Sequence, residues 1–96
     1  MGEAARVRAR AVFHGHVQGV GFRYTARQVA SGYDVTGYVE NEPDGSVELV
    51  AEGTRDEVAA FVEAVGERMR SYIRRCEVAW GAARGEFDGF GVRFSW

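Results

Sequence analysis

The stretch Gly15-His16-Val17-Gln18-Gly19-Val20-Gly21-Phe22-Arg23 gathers residue types that can hold an anion. Three glycines in seven positions follow an alternating apolar run and precede a helical pattern, which marks a tight, open strand-to-helix turn. Glycine permits conformations in which successive backbone N–H groups converge on one oxyanion, and the following helix adds the positive end of its dipole. Arg23 falls in the first turn of that helix, where a cation opposes the dipole unless an anion lies between them. Its planar guanidinium can grip two phosphate or carboxylate oxygens together. A glycine-rich turn can equally be nothing but a turn, and spacing alone leaves the two readings level. Two familiar phosphate loops are excluded. The chain contains no lysine for a Walker loop, and Tyr24 stands where the third glycine of a dinucleotide fingerprint would follow Gly19 and Gly21.

The elements that must position this loop follow from periodicity. Val7, Ala9, Ala11 and Phe13 alternate with Arg8, Arg10 and Val12, the period of a strand with one buried face, and this strand feeds the loop. Phe22, Ala26, Val29 and Tyr33 then recur at helical spacing, with Ser31-Gly32 as the stop. Val35, Gly37 and Val39 form a second strand that ends near Asn41. Glu42-Pro43-Asp44-Gly45 is a turn, and Val47, Leu49 and Ala51 complete a hairpin. Thr54-Arg55-Asp56-Glu57 has the form of a capping box ahead of the stripe Val58, Phe61, Val62, Val65 and Met69. Cys76, Val78 and Trp80 indicate a fourth strand, and Phe90, Val92, Phe94 and Trp96 a short last one. The order β-α-β-β-α-β predicts an α+β fold: a ferredoxin-like split βαβ sandwich, an antiparallel sheet with two helices on one face. In that topology the first and third strands are central neighbours and the second pairs with the third.

Ninety-six residues predict a single domain over 1–96, with residues 1–5 flexible. A net charge of −2 argues against a general nucleic-acid or acidic-membrane binder, which needs a broad basic surface, but permits a small local anion site. The lone Cys76 cannot close an internal disulfide, and no signal-peptide pattern or long apolar run is present, so a cytoplasmic home is expected. Cys76 reads as a half-buried strand thiol; as a phosphatase nucleophile it would need an arginine six residues on, where Ala82 stands. His14 and His16 lack a third ligand at suitable spacing, so no metal site is expected.

Gly15 to Arg23 resembles the signature of the acylphosphatase family, Gly-x-Val-Gln-Gly-Val-x-Phe-Arg, whose loop binds the phosphate of an acyl phosphate. A second motif of that family, Gly-aromatic-Val-x-Asn ahead of an Asp-Gly turn, resembles Gly37-Tyr38-Val39-Glu40-Asn41 followed by Asp44-Gly45. The likeness runs from about Val7 to the C-terminus. By that resemblance Arg23 matches the phosphate-binding arginine and Asn41 the asparagine that orients the attacking water. Gly15, His16, Val17, Gln18, Gly19 and Val20 match the loop whose N–H groups cradle the phosphoryl oxygens. Glu40 stands where many relatives carry a basic residue, and the Gly-Pro common after the second helix is replaced by Met69-Arg70-Ser71-Tyr72.

The resemblance implies a metal-independent, cofactor-free hydrolase whose small-molecule partners are an acyl phosphate and inorganic phosphate, with no nucleic-acid or membrane partner and a monomeric state. The chemistry suits the residues. An acyl phosphate leaves as a carboxylate with a pKa of about 4, which needs no general acid. What remains is to fix the phosphoryl group, neutralise its charge and place a water in line. Gln18 reads as a loop-shaping hydrogen-bond partner. Tyr24 and Tyr38 are candidates to border the acyl group, or plain surface aromatics. Two rivals come from other classes. Gly89-Phe90-Gly91-Val92-Arg93-Phe94 faintly resembles the aromatic sheet motif of RNA-recognition modules, but lacks one aromatic and follows Asp88. An accessory domain, as at the N-terminus of hydrogenase-maturation carbamoyltransferases, typically reads Gly-Phe-Arg-Pro, where this chain has Tyr24.

Overall fold

The computed structural model describes residues 5–94. Seven main elements appear in the order β1 (Arg6–Gly15), α1 (Phe22–Ala30), β2 (Thr36–Asn41), β3 (Val47–Thr54), α2 (Arg55–Arg68), β4 (Ile73–Ala82) and β5 (Phe90–Arg93), with a 3-10 turn at Arg70–Tyr72. The strands form one sheet in the order β4-β1-β3-β2-β5. As the split βαβ topology requires, β1 and β3 pair in the centre and β2 pairs with β3, both antiparallel. The alternation seen in the sequence decides which face is buried. Ala9, Ala11 and Phe13 stand opposite Ala51, Leu49 and Val47, and with Val39 they face the two helices. Phe22, Ala26 and Val29 of α1 and Val58, Phe61 and Val65 of α2 close that core. Each large side chain so buried stabilises the fold by about 1.5–3 kcal/mol.

Three expectations need correction. The sheet is mixed, because β5 runs parallel to β2 with Gly37 opposite Phe90 and Glu40 opposite Arg93. The cause lies in the connection from β4. That strand ends beside the start of β1, with Ala82 opposite Val7, and the chain then crosses the same end of the sheet to enter β5 alongside the start of β2. Glu52 holds the crossing: its buried carboxylate accepts the N–H groups of Arg84 at 2.9 Å and Gly85 at 3.0 Å and pairs with Arg8 at 2.9 Å. Burial of this carboxyl opposes its ionisation, but the two N–H groups and the Arg8 guanidinium outweigh that and lower its pKa. Phe87 on the same connection stacks edge-on against Tyr38, 5.8 Å between ring centres.

The capping box is realised only in part. Thr54 Oγ1 accepts the Glu57 N–H at 3.4 Å, but the Glu57 carboxylate turns away to accept the Asp34 N–H at 2.7 Å. It thereby ties α2 to the α1–β2 connection. Cys76 is exposed, not half-buried. It lies on β4, an edge strand whose helix-side residues Val78 and Trp80 are also exposed. Partial desolvation and the nearby Glu77 still push the Cys76 thiol pKa up. The expected flexibility of residues 1–5 and the placing of Trp96 on the last strand fall wholly or partly on residues 1–4 and 95–96, outside those described.

Candidate active site

The end of the sheet opposite that crossing is where the glycine loop leaves β1. Gly15 ends the strand at an irregular step in its pairing with β4, at a φ of 138°. A Cβ there would collide with the Tyr72 carbonyl, so only glycine lets the two backbones approach. The next N–H, that of His16, donates to the same carbonyl at 2.9 Å. Gly19 and Gly21 take positive φ values of 77° and 80°, and Gly21 is the N-cap of α1. No side chain among the described residues caps this helix, and its first turn holds no acidic residue. Among the described residues, the N–H groups of 18 to 22 meet no acceptor.

The loop is fastened to the β2–β3 hairpin by one side chain. Gln18 Nε2 donates to the carbonyl oxygens of Glu42 at 2.8 Å and Ser46 at 2.9 Å. Asn41, the last residue of β2, leads directly into that hairpin. Gly19, Gly21, Arg23 and Asn41 line one open cleft of about 600 Å³. Val17 lies at its floor, and Phe90, Val92 and Phe94 from β5 and just beyond form an apolar wall. Arg23 is braced against that wall: Nη1 donates to the Arg93 carbonyl at 3.4 Å, and its guanidinium carbon lies 4.7 Å from the Phe94 ring centre.

The structure therefore brings Val17, Gly19, Arg23 and Asn41 to the cleft and sets the other expected residues around it. Gly15 shapes the exit from β1, and Gln18 is the loop-shaping partner its type suggests. The N–H of His16 serves Tyr72, while Val20 packs half-buried against the core. Tyr24 lines the cleft and is 64% exposed. Tyr38 does not: it faces the other side of the sheet, where burial and the Glu48 carboxylate push its hydroxyl pKa up to about 12. Glu40 shares that outer face, with carboxylate oxygens of Glu40, Glu42 and Glu48 within 4.8 Å of one another. His14, considered as a metal ligand, contacts Glu77 at 3.0 Å.

Two parts of the site were missed. The alternation of Phe90, Val92 and Phe94 gives a short last strand, but nothing local reveals that this strand pairs with β2 and walls the cleft. Arg27 also lines the cleft, and the signal for it was present. It follows Arg23 at i+4, which places both on one helix face.

A family model described as acylphosphatase matches residues 9–92, most of the chain. Similar proteins agree: an acylphosphatase of Salinibacter ruber is 47% identical over 96% of this chain and 96% of its own length. The chain belongs to the acylphosphatase family. It is an enzyme of that family, with acyl phosphate as substrate and phosphate as product. An acylphosphatase of Nocardia farcinica is 40% identical over 91% of this chain and 88% of its own. Among solved structures, the acylphosphatase from Bacillus subtilis superposes with a TM-score of 0.81 at 30% identity, covering 91% of this chain and 98% of that one. Full-length HypF in its phosphate- and nucleotide-bound form also matches, with a TM-score of 0.80 at 27% identity, but over only 12% of its length. The described part of the chain has no helix long and apolar enough to cross a membrane.

Proposed function

We propose that the cleft hydrolyses the carboxyl–phosphate bond by in-line attack of a water held by Asn41 on a phosphoryl group held by the loop and Arg23. The N–H groups of Val17, Gln18, Gly19 and Val20, with those that open α1, receive the phosphoryl oxygens, and Arg23 neutralises the charge that spreads over them. Gly15 and His16 contribute by shaping the loop, since the His16 N–H is engaged by Tyr72. A new bond forms between the water oxygen and phosphorus while the bond from phosphorus to the acyl oxygen breaks. The carboxylate departs with the electron pair, and the water proton passes to a phosphoryl oxygen, because an asparagine amide cannot accept it at neutral pH. The phosphate-binding reading extends to a cytoplasmic, monomeric enzyme that works without metal.

One observation carries this reading. Arg23 and Asn41, from separate motifs, line the same cleft as the start of α1, and among the described residues no carboxylate, histidine or thiol side chain lines it with them. Such a site suits a leaving group that needs no proton. The test is hydrolysis of benzoyl phosphate by the purified chain without added metal, beside Arg23→Ala and Asn41→Ala, with folding checked by circular dichroism. Each folded variant is expected to lose on the order of a hundredfold or more, as for loss of a preorganised transition-state contact. A folded but inert parent would sink the catalytic reading.

A further inference from the structure

We infer that Arg27 forms a second anion subsite in the cleft, so that the enzyme favours acyl phosphates whose acyl chain ends in another anionic group. The inference rests on the proposed reading of the cleft. Its volume of about 600 Å³ is that of a whole small-molecule site, well beyond a phosphoryl group alone. Phe90, Val92 and Phe94 offer the acyl chain an apolar wall. Arg27 lies four residues beyond Arg23 on the same face of α1, about 6 Å further along the axis from the loop. It is exposed, and among the described residues it has no ion-pair partner.

The charges make the case. Among the described residues two arginines line the cleft, and no acidic side chain lines it to balance them. The phosphoryl group is already served by the loop N–H groups and Arg23. A basic residue in the last turn of α1 does complement the helix dipole, but that role does not need the side chain to border the cleft. A carboxylate or phosphate at the far end of a short acyl chain, laid along α1 from the loop, would meet the Arg27 guanidinium. The apolar wall and the second cation together set a preference among acyl groups by charge.

The test compares kcat/KM for succinyl phosphate with that for butyryl phosphate, its counterpart of the same length without the second charge, in the parent, Arg27→Gln and Arg27→Lys. A third substrate, phosphonopropionyl phosphate, asks whether carboxylate or phosphonate is the better second anion. The parent ratio is expected to favour the doubly anionic substrates by roughly five- to tenfold, the range for a charged contact partly screened by water. Arg27→Gln should bring the ratio to about one, and Arg27→Lys should restore part of it. Calorimetric binding of pentanoate carrying a phosphonate at its far end, against plain pentylphosphonate, gives the same comparison without turnover. A parent that hydrolyses neither substrate but still binds the carboxylated phosphonate more tightly, through Arg27, would overturn the catalytic reading alone. A ratio unchanged by Arg27→Gln in both turnover and binding would overturn the subsite.

Discussion

The two helices begin in opposite ways. α2 follows the rules for a helix that only has to be stable: Thr54 caps it, and Asp56 and Glu57 in its first turn complement the dipole. α1 breaks each of those rules. Its N-cap is Gly21 in a left-handed conformation, no side chain among the described residues caps it, and a cation stands in its first turn. The difference separates structure from function. α2 satisfies its own terminus, whereas α1 leaves its terminus open to a ligand and relies on the surrounding chain, through Gln18, the Arg93 carbonyl and Phe94, to hold the opening in shape.

Giving α1 an acidic start like that of α2 should have the largest effect. Gly21 has open space around its missing Cβ, so Gly21→Asp and Gly21→Asn meet no clash and share the same backbone strain at its positive φ, which these two residue types bear better than others. The aspartate puts a like charge at the anion site, where repulsion costs several kcal/mol, so kcat/KM on benzoyl phosphate should fall about a hundredfold or more. Asn should cost far less. Equal losses in the two variants would mean that shape, not charge, matters at this terminus.

The far anchor of the β5 wall comes next. The Glu52 carboxyl has a pKa held below its ordinary 4.5, so the stability it contributes is fully present above that pH. It is lost as the pH falls through the folded value. Glu52→Gln should therefore cost about 2 kcal/mol at pH 7 and flatten the acid limb of the stability curve, read by urea unfolding from neutral pH down to pH about 3. An acid limb as steep as that of the parent would exclude this carboxylate as its source.

Gln18→Ala removes the two hydrogen bonds between the loop and the hairpin. It should cost about 1–2 kcal/mol and lower kcat/KM roughly tenfold, because Asn41 and the loop lose their common fastening. Thr54→Ala sharpens the contrast from the other side. It should cost about 1 kcal/mol, seen as a Tm lower by roughly 4–8 °C, while kcat at 25 °C stays at the parent value. A fall in kcat there would show that α2 is coupled to the cleft.

Much of this was legible in the sequence for reasons of short range. The stripe Val58, Phe61 and Val65 could only be one face of a helix, and Ala9, Ala11 and Phe13 only one face of a strand. The hairpin between Asn41 and Val47 followed from Pro43 and Gly45. What escaped depends on contacts between distant residues. Cys76, Val78 and Trp80 alternate like a half-buried strand, and their exposure follows from the position of β4 at the sheet edge. Glu52 looks like any strand glutamate until the crossing chain brings the N–H groups of Arg84 and Gly85 to it.

By itself the sequence determined where the chain can bend and where charge is placed along it. Gly15, Gly19 and Gly21 set the turn because φ is a local property of each residue, and Arg23 and Arg27 share a helix face because the α-helix has a fixed period. Only the tertiary structure decided that Asn41 lies beside that turn, that Arg23 is braced by β5, and that Arg27 borders the same cleft. Those neighbours are set by sheet register and by a crossing at the opposite end of the molecule, and no local pattern encodes a pairing between residues so far apart.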